Sequence, residues 1–250
     1  MRKLIAGLAA CLAAIALTLT EASAAEIKVI AANATKDALL ALAPAFEKAT
    51  GNKVTIVWTG SGGAEKKVLD GEAADLVLIA SQNIDRLIAA GKVAGSSAPF
   101  VKSGVGIAIK AGLPKPDIST ADAIKQAVLE AKSIAYSQGP SGHHVGEVLK
   151  KFGVAEQIKA KLIQPPSGVQ IGELIARGEA ELGFQQVSEL IHVSGIQYLG
   201  PLPAEIQNYT VYSFGLLASA AAPDAAKALV NFVRSESAVP VIRSKGMEPG

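Results

Sequence analysis

Four short stretches of this chain join small polar residues to glycine, each between a β-branched run and a helical pattern or at the entry to a helix. They are Asn33-Ala34-Thr35, Thr59-Gly60-Ser61-Gly62-Gly63, Gln138-Gly139-Pro140-Ser141-Gly142-His143-His144 and Pro166-Ser167-Gly168-Val169. Glycine lets the backbone approach a ligand closely, and a hydroxyl supplies a donor. The first turn of a helix adds unpaired N–H groups and a partial positive charge. Together these suit an anion held by dipoles and hydrogen bonds. Each turn alone also fits ordinary helix capping, for which Ser, Thr and Asn are the usual residues. Four in one chain favour a shared site, with Asn33, Thr35, Ser61, Gly62, Ser141, Gly142 and Val169 as its expected contacts.

His143 and His144 start a helix at the third turn, where a histidine can donate to a ligand or move a proton. Adjacent helical side chains point about 100° apart, so only one of the two is expected to face the ligand. Lys66 lies one turn into the second helix, placed either to meet a carboxylate or to sit on a solvated face. His192 lies among apolar residues and reads as structural. Gly60-Ser61-Gly62-Gly63 lacks the Lys-Ser/Thr ending of a P-loop and the spacing of a dinucleotide fingerprint. No nucleophile elbow is present. Three histidines and one cysteine predict no zinc site, and no cofactor is expected.

These turns must be held by a scaffold, and the chain supplies one. Arg2 and Lys3 precede an apolar run, Leu4 to Leu19, and then Ala22-Ser23-Ala24-Ala25, the pattern of a secretory signal cut after Ala24 or, one residue later, after Ala25. The alternative cut at Cys11, as in a lipoprotein, would leave a very short apolar region before it. Basic and acidic residues number 24 and 22, without the clustered basic excess of a nucleic-acid binder.

Beyond the signal, strands alternate with helices. Strands are expected at 26–31, 53–58, 74–80, 104–110, 132–137, 180–185, 197–199 and 211–218. The intervening helices include 35–50, 62–69, 83–90, 120–131, 142–152, 169–177 and 187–193, with two more closing the chain at 225–234 and 238–244. Pro44 should kink the first helix. Such alternation predicts βαβ units and parallel strands. Two chain crossings predict a hinge, with residues 25–103 and 205–250 as one lobe and 104–204 as the other. A single continuous sheet is the simpler alternative.

The chain resembles the periplasmic molybdate-binding protein family of ABC importers over almost its full mature length. The resemblance rests on AANATKDALLALAPAFEKATG, TGSGGAEKKVLDGEAADLVLIAS, GPSGHHVGEVLKKFG, RGEAELGF and APDAAKALVNFVRSESAVPVIRSKG. It implies an α/β, two-lobed, type II binding-protein fold with the ligand in the cleft, a periplasmic location, an inner-membrane permease as partner and a monomeric state. The family's first ligand serine falls at Ala34, and its second is kept as Ser61. Ser141 replaces an alanine, Val169 is kept, and the family's tyrosine falls at or next to Gln186. Added side-chain functions at Asn33, Ser141, His143, Gln185 and Gln186 suit an organic carboxylate. Proteins resembling this family also include periplasmic aconitate isomerases. That implies a second function, proton transfer on an allylic tricarboxylate, with His143 or His144 as base.

Overall fold

The computed structural model describes residues 24–250. The expected signal cleavage and Cys11 lie almost wholly outside the described residues. The chain opens with β1 (Glu26–Ala32), α1 (Lys36–Thr50), β2 (Lys53–Thr59), α2 (Ser61–Leu69), β3 (Leu76–Ala80) and α3 (Ser81–Ala89). β1 pairs parallel with β2 on one side and β3 on the other. Leu39, Leu42 and Phe46 form the buried stripe of α1, which ends at Gly51 with a left-handed φ of 76°. Pro44 falls on the exposed face of α1, so the carbonyl of exposed Leu40, which loses its helical donor there, is on the water side.

The next element departs from expectation. β4 (Val93–Lys110) is one strand of 18 residues, eleven of them before the predicted start at Gly104. Ala94-Gly95-Ser96-Ser97 has turn composition, and Gly95 takes a φ of 73°. Pairing with a neighbouring strand carries the chain through with register shifts between Ala94 and Ala98 and between Pro99 and Val101. Tertiary pairing here overrides local propensity.

The second block contains α4 (Ala121–Glu130), β5 (Ile134–Tyr136), α5 (Pro140–Lys151), α6 (Ala155–Ile158) and β6 (Leu162–Ile163). α7 (Ile171–Arg177), β7 (Leu182–Gln186), α8 (Val187–Leu190) and β8 (Ile196–Pro201) complete it. β5 pairs parallel with β6 and β7. The chain then returns through β9 (Tyr209–Leu217), α9 (Pro223–Val233), α10 (Val239–Ser244) and β10 (Glu248–Pro249). The sheets are mixed rather than wholly parallel: β9 is antiparallel to β3 and β4, and β4 is antiparallel to β7 and β8.

Hydrogen bonding runs unbroken through β4, in the order β2-β1-β3-β9-β4-β7-β5-β6, yet the cores are separate. One core packs residues of the opening and closing segments, Ile27 to Val101 and Tyr212 to Met247. The other two lie within Val105 to Leu202. β4 changes partner within one peptide unit: Gly104 faces Tyr209 of β9, and Val105 faces Gln186 of β7. A Gln207 side chain braces this step. Its amide accepts from the Val105 N–H at 2.8 Å and donates to the Val105 carbonyl at 3.0 Å.

Candidate functional site

The four turns meet at the seam between the two cores, where they line a narrow cradle of about 40 Å³. Ala32, Asn33, Gly60 and Ser61 come from one side, and Ser137 to Ser141 with Ser167 to Gln170 from the other. The two sides touch. Asn33 Nδ2 donates to the Gly168 carbonyl at 3.1 Å, and Ser188 Oγ donates to the Ala34 carbonyl at 2.8 Å. A Cβ on Gly60 would stand 2.5 Å from Ser167 Oγ and 3.2 Å from the Gly168 nitrogen, so glycine is what allows this approach. The lobes are therefore closed on one another.

α2 and α5 both start here, and both have a glycine N-cap, Gly60 and Gly139, with no side chain to satisfy the first N–H groups. Away from the cleft, α4 is capped by Thr120, whose hydroxyl accepts from the Ala123 N–H. Ser61 and Ser141 stand at the start of α2 and α5, both buried in the cradle wall. The Ala80 N–H donates to Ser61 Oγ at 3.3 Å, which leaves the hydroxyl proton free for a ligand. Ser141 Oγ lies 3.5 Å from Ser137 Oγ, which itself accepts from the Gly139 N–H.

The cradle lining contains no Lys or Arg, and its one carboxyl is Glu189. This residue is partly buried, and packing around it is close enough that desolvation pushes its carboxyl up to about 7. Hydrogen bonds from the side chains of Gln170 and Gln185 and from the Gln186 backbone oppose that rise without cancelling it. Gln185 is oriented by the backbone: its Oε1 accepts from the Ile171 and Gly172 N–H groups, which turns Nε2 towards Glu189 Oε1 at 2.9 Å.

Gln186 binds the strands at the partner switch of β4 instead. In the orientation that satisfies both ends of its amide, the nitrogen donates to the Ser103 and Gly104 carbonyls. The oxygen then accepts from Thr210 Oγ1 at 2.9 Å and the Tyr212 hydroxyl at 3.2 Å. Tyr212 thus brings a phenol to the cradle from β9, and burial, with Glu189 close by, raises it well above an ordinary tyrosine.

Ser61, Gln138, Gly139 and Pro140 line both the cradle and an adjoining wider groove, the mouth, of about 690 Å³. His143 and His144 line this mouth and not the cradle, and His144 Nε2 is engaged at 2.7 Å with the Ile206 carbonyl. Arg86 also faces the mouth, forked onto Glu65 at 2.6 and 2.7 Å, and holds the Glu65 carboxyl below the usual range.

The expected contacts divide accordingly. Asn33, Ser61, Ser141, Val169, Gln185 and Gln186 line the cradle, and Gly62 lines the mouth. Thr35 is buried and donates to the Ala32 carbonyl at 2.8 Å, outside the lining. Gly142 is also outside it: a Cβ there would fall 1.6 Å from the Ser137 carbonyl oxygen, so close packing accounts for this glycine. Lys66 points to solvent and pairs with Asp70 at 2.6 Å. Five residues beyond Ser61, it is turned about 140° away round the helix. Ser137, Gln170, Glu189 and Tyr212 were not anticipated. Tyr212 lies in an apolar strand run, and Glu189 looks like the polar face of a short helix. Among the described residues no three His, Asp or Glu side chains gather to hold a metal, and no helix is long and apolar enough to cross a membrane.

Comparison with known proteins matches residues 27–248 to the family described as bacterial extracellular solute-binding protein. An aconitate isomerase from Pseudomonas sp. is 38% identical over 215 residues, 83% of this chain and 82% of that one. A molybdate-binding protein of Azotobacter vinelandii is 30% identical over 236 residues, 90% of each chain. The solved structure of the Azotobacter vinelandii periplasmic molybdate-binding protein superposes with a TM-score of 0.76 at 23% identity, over 88% of this chain and 98% of that one.

Proposed function

The chain belongs to the bacterial extracellular solute-binding protein family and binds a small anion, and from that premise we propose that its ligand is an organic polycarboxylate. One observation carries the proposal. The cradle, lined by four serines and two helix starts, has room for one carboxylate, and it adjoins a groove large enough for the rest of a longer molecule. A tetrahedral oxyanion needs only the cradle. The cradle's lack of any Lys or Arg suits binding by dipoles.

In this proposal the protein works in the periplasm as a monomer after loss of residues 1–24, and hands its ligand to an inner-membrane ABC permease. Residues 25–103 and 205–250 close against 104–204. Calorimetry with trans-aconitate, citrate and molybdate tests the ligand class. The expected result is tighter binding of the tricarboxylates. Sub-micromolar molybdate binding with none of the tricarboxylates would overturn it.

A second reading, catalytic isomerisation of a tricarboxylate, is favoured by Glu189, a titratable group facing the ligand space, together with the 38% identity to an aconitate isomerase. Here the bound anion would lose and regain a proton inside the closed cleft. Incubation of the protein with trans-aconitate, followed by proton NMR for the cis isomer, tests it. No conversion above the uncatalysed rate would leave binding alone.

A further inference from the structure

We propose that Glu189 is the catalytic group that takes a proton from, and returns it to, the carbon skeleton of a tricarboxylate held in the cradle. This rests on the isomerase reading. It starts from a conflict of charge: a site with no Lys or Arg in its wall, built for an anion, carries one carboxyl. The ligand's own negative charge beside an ionised Glu189 raises its affinity for a proton further, which strengthens the carboxylate as a base towards the bound molecule. The surroundings allow both states. Gln170, Gln185 and the Gln186 backbone stabilise the carboxylate, while desolvation favours the acid and brings the balance to about 7. A base poised near the working pH is the one that transfers protons most efficiently.

Position supports the role. Glu189 lines the cradle on one side and an outer pocket on the other, with Lys36, Asp37, Glu173 and His192 in the outer wall. The charged or titratable groups that share these two linings with Glu189 are Tyr212 from β9, Lys36 and Asp37 from α1, Glu173 from α7 and His192 just after α8, while desolvation and the glutamine contacts set its state. A proton gained on the cradle side has an exit towards water on the other. The Ser141 hydroxyl stands in the same lining as a donor to charge developing on the substrate carboxylates.

The step balances without a cofactor. Glu189 carboxylate takes a proton from the methylene carbon. The electron pair of that C–H bond spreads over the allylic system and its carboxylates. The Glu189 O–H then delivers the proton to the former vinyl carbon, the double bond shifts, and the carboxylate is regenerated. Geometry about the new double bond can be cis or trans.

The test compares the full mature chain with Glu189→Gln, which keeps the size and hydrogen-bonding shape of the protonated acid. The parent is expected to convert trans- to cis-aconitate, with solvent deuterium appearing in the product in deuterated water. Glu189→Gln should lose about 100-fold or more of turnover, with trans-aconitate binding retained by calorimetry. Parent conversion should rise with pH through a limb at or above about 7. A parent that binds but does not convert overturns the isomerase reading. A parent that converts while Glu189→Gln converts equally well overturns Glu189 alone. If circular dichroism shows that variant unfolded, the parent's pH profile decides, and a flat profile from pH 5 to 9 overturns the proposal.

Discussion

The histidines at the mouth and the carboxyl at the inner corner line adjoining spaces, but their surroundings differ. His143 and His144 line a wide groove, and His144 is engaged with a main-chain carbonyl at 2.7 Å. Glu189 sits where the space narrows, held by two glutamine side chains and desolvated enough to rise to about 7. A carboxyl titrates near neutrality only where its surroundings, burial above all, force it there. The lesson is that the environment, more than the residue type, selects the base.

The sharpest way to break the contrast is to compare turnover. Glu189→Gln should cost about 100- to 10,000-fold in the conversion of trans-aconitate, against a few-fold for His143→Gln or His144→Gln. Equal losses at the mouth and the corner in NMR assays would erase the distinction.

Stability should separate the two regions next. A raised native pKa means that the folded state holds the Glu189 proton more tightly than the unfolded chain does. That contribution is complete below about 4.5 and lost as pH rises to about 7, above which the buried charge is a fixed cost. Glu189→Gln should therefore melt higher than the parent at pH 8, by up to about 3 kcal/mol in stability, with the advantage shrinking towards pH 5. Thermal melts without ligand read this.

Smaller effects belong to the cradle wall. Ser61→Ala and Ser141→Ala should each weaken binding of the tricarboxylate by about 1 kcal/mol or more, with the fold intact, because each removes a donor to a charged ligand. Calorimetry that finds both variants unchanged would move the ligand out of the cradle. Smallest of all is Lys66→Ala, on the solvent side of α2, where loss of an exposed ion pair should change affinity and stability by less than about 0.5 kcal/mol.

Much of the positioning was legible in the sequence because turns announce themselves by composition. Gly60-Ser61 and Pro140-Ser141 read as strand-to-helix turns, and they line one cradle. The first half of β4 was not legible, since Gly95-Ser96-Ser97 reads as a loop and becomes a strand only by pairing with β9, more than a hundred residues on. Glu189 and Tyr212 were missed for a related reason. Each is unremarkable in its own segment, Val187-Ser188-Glu189-Leu190 and Val211-Tyr212-Ser213. Their roles arise where β7 and β9 flank the crossing strand and bring their ends to one point. Lys66 shows the opposite error: a suggestive charge one turn from the site, carried by helical rotation to the far face.

The Gln207 clasp has a mechanical consequence. By binding both main-chain groups of Val105, its amide acts as one rung of a ladder and ties the outgoing chain crossing to the returning one at the place where β4 changes partner. Two strands tied side by side form a ribbon, which bends readily across its face and resists sliding within its plane. The lobes should then open as the covers of a book do about its spine, so that each reopening returns Ser61 and Ser141 to the same register.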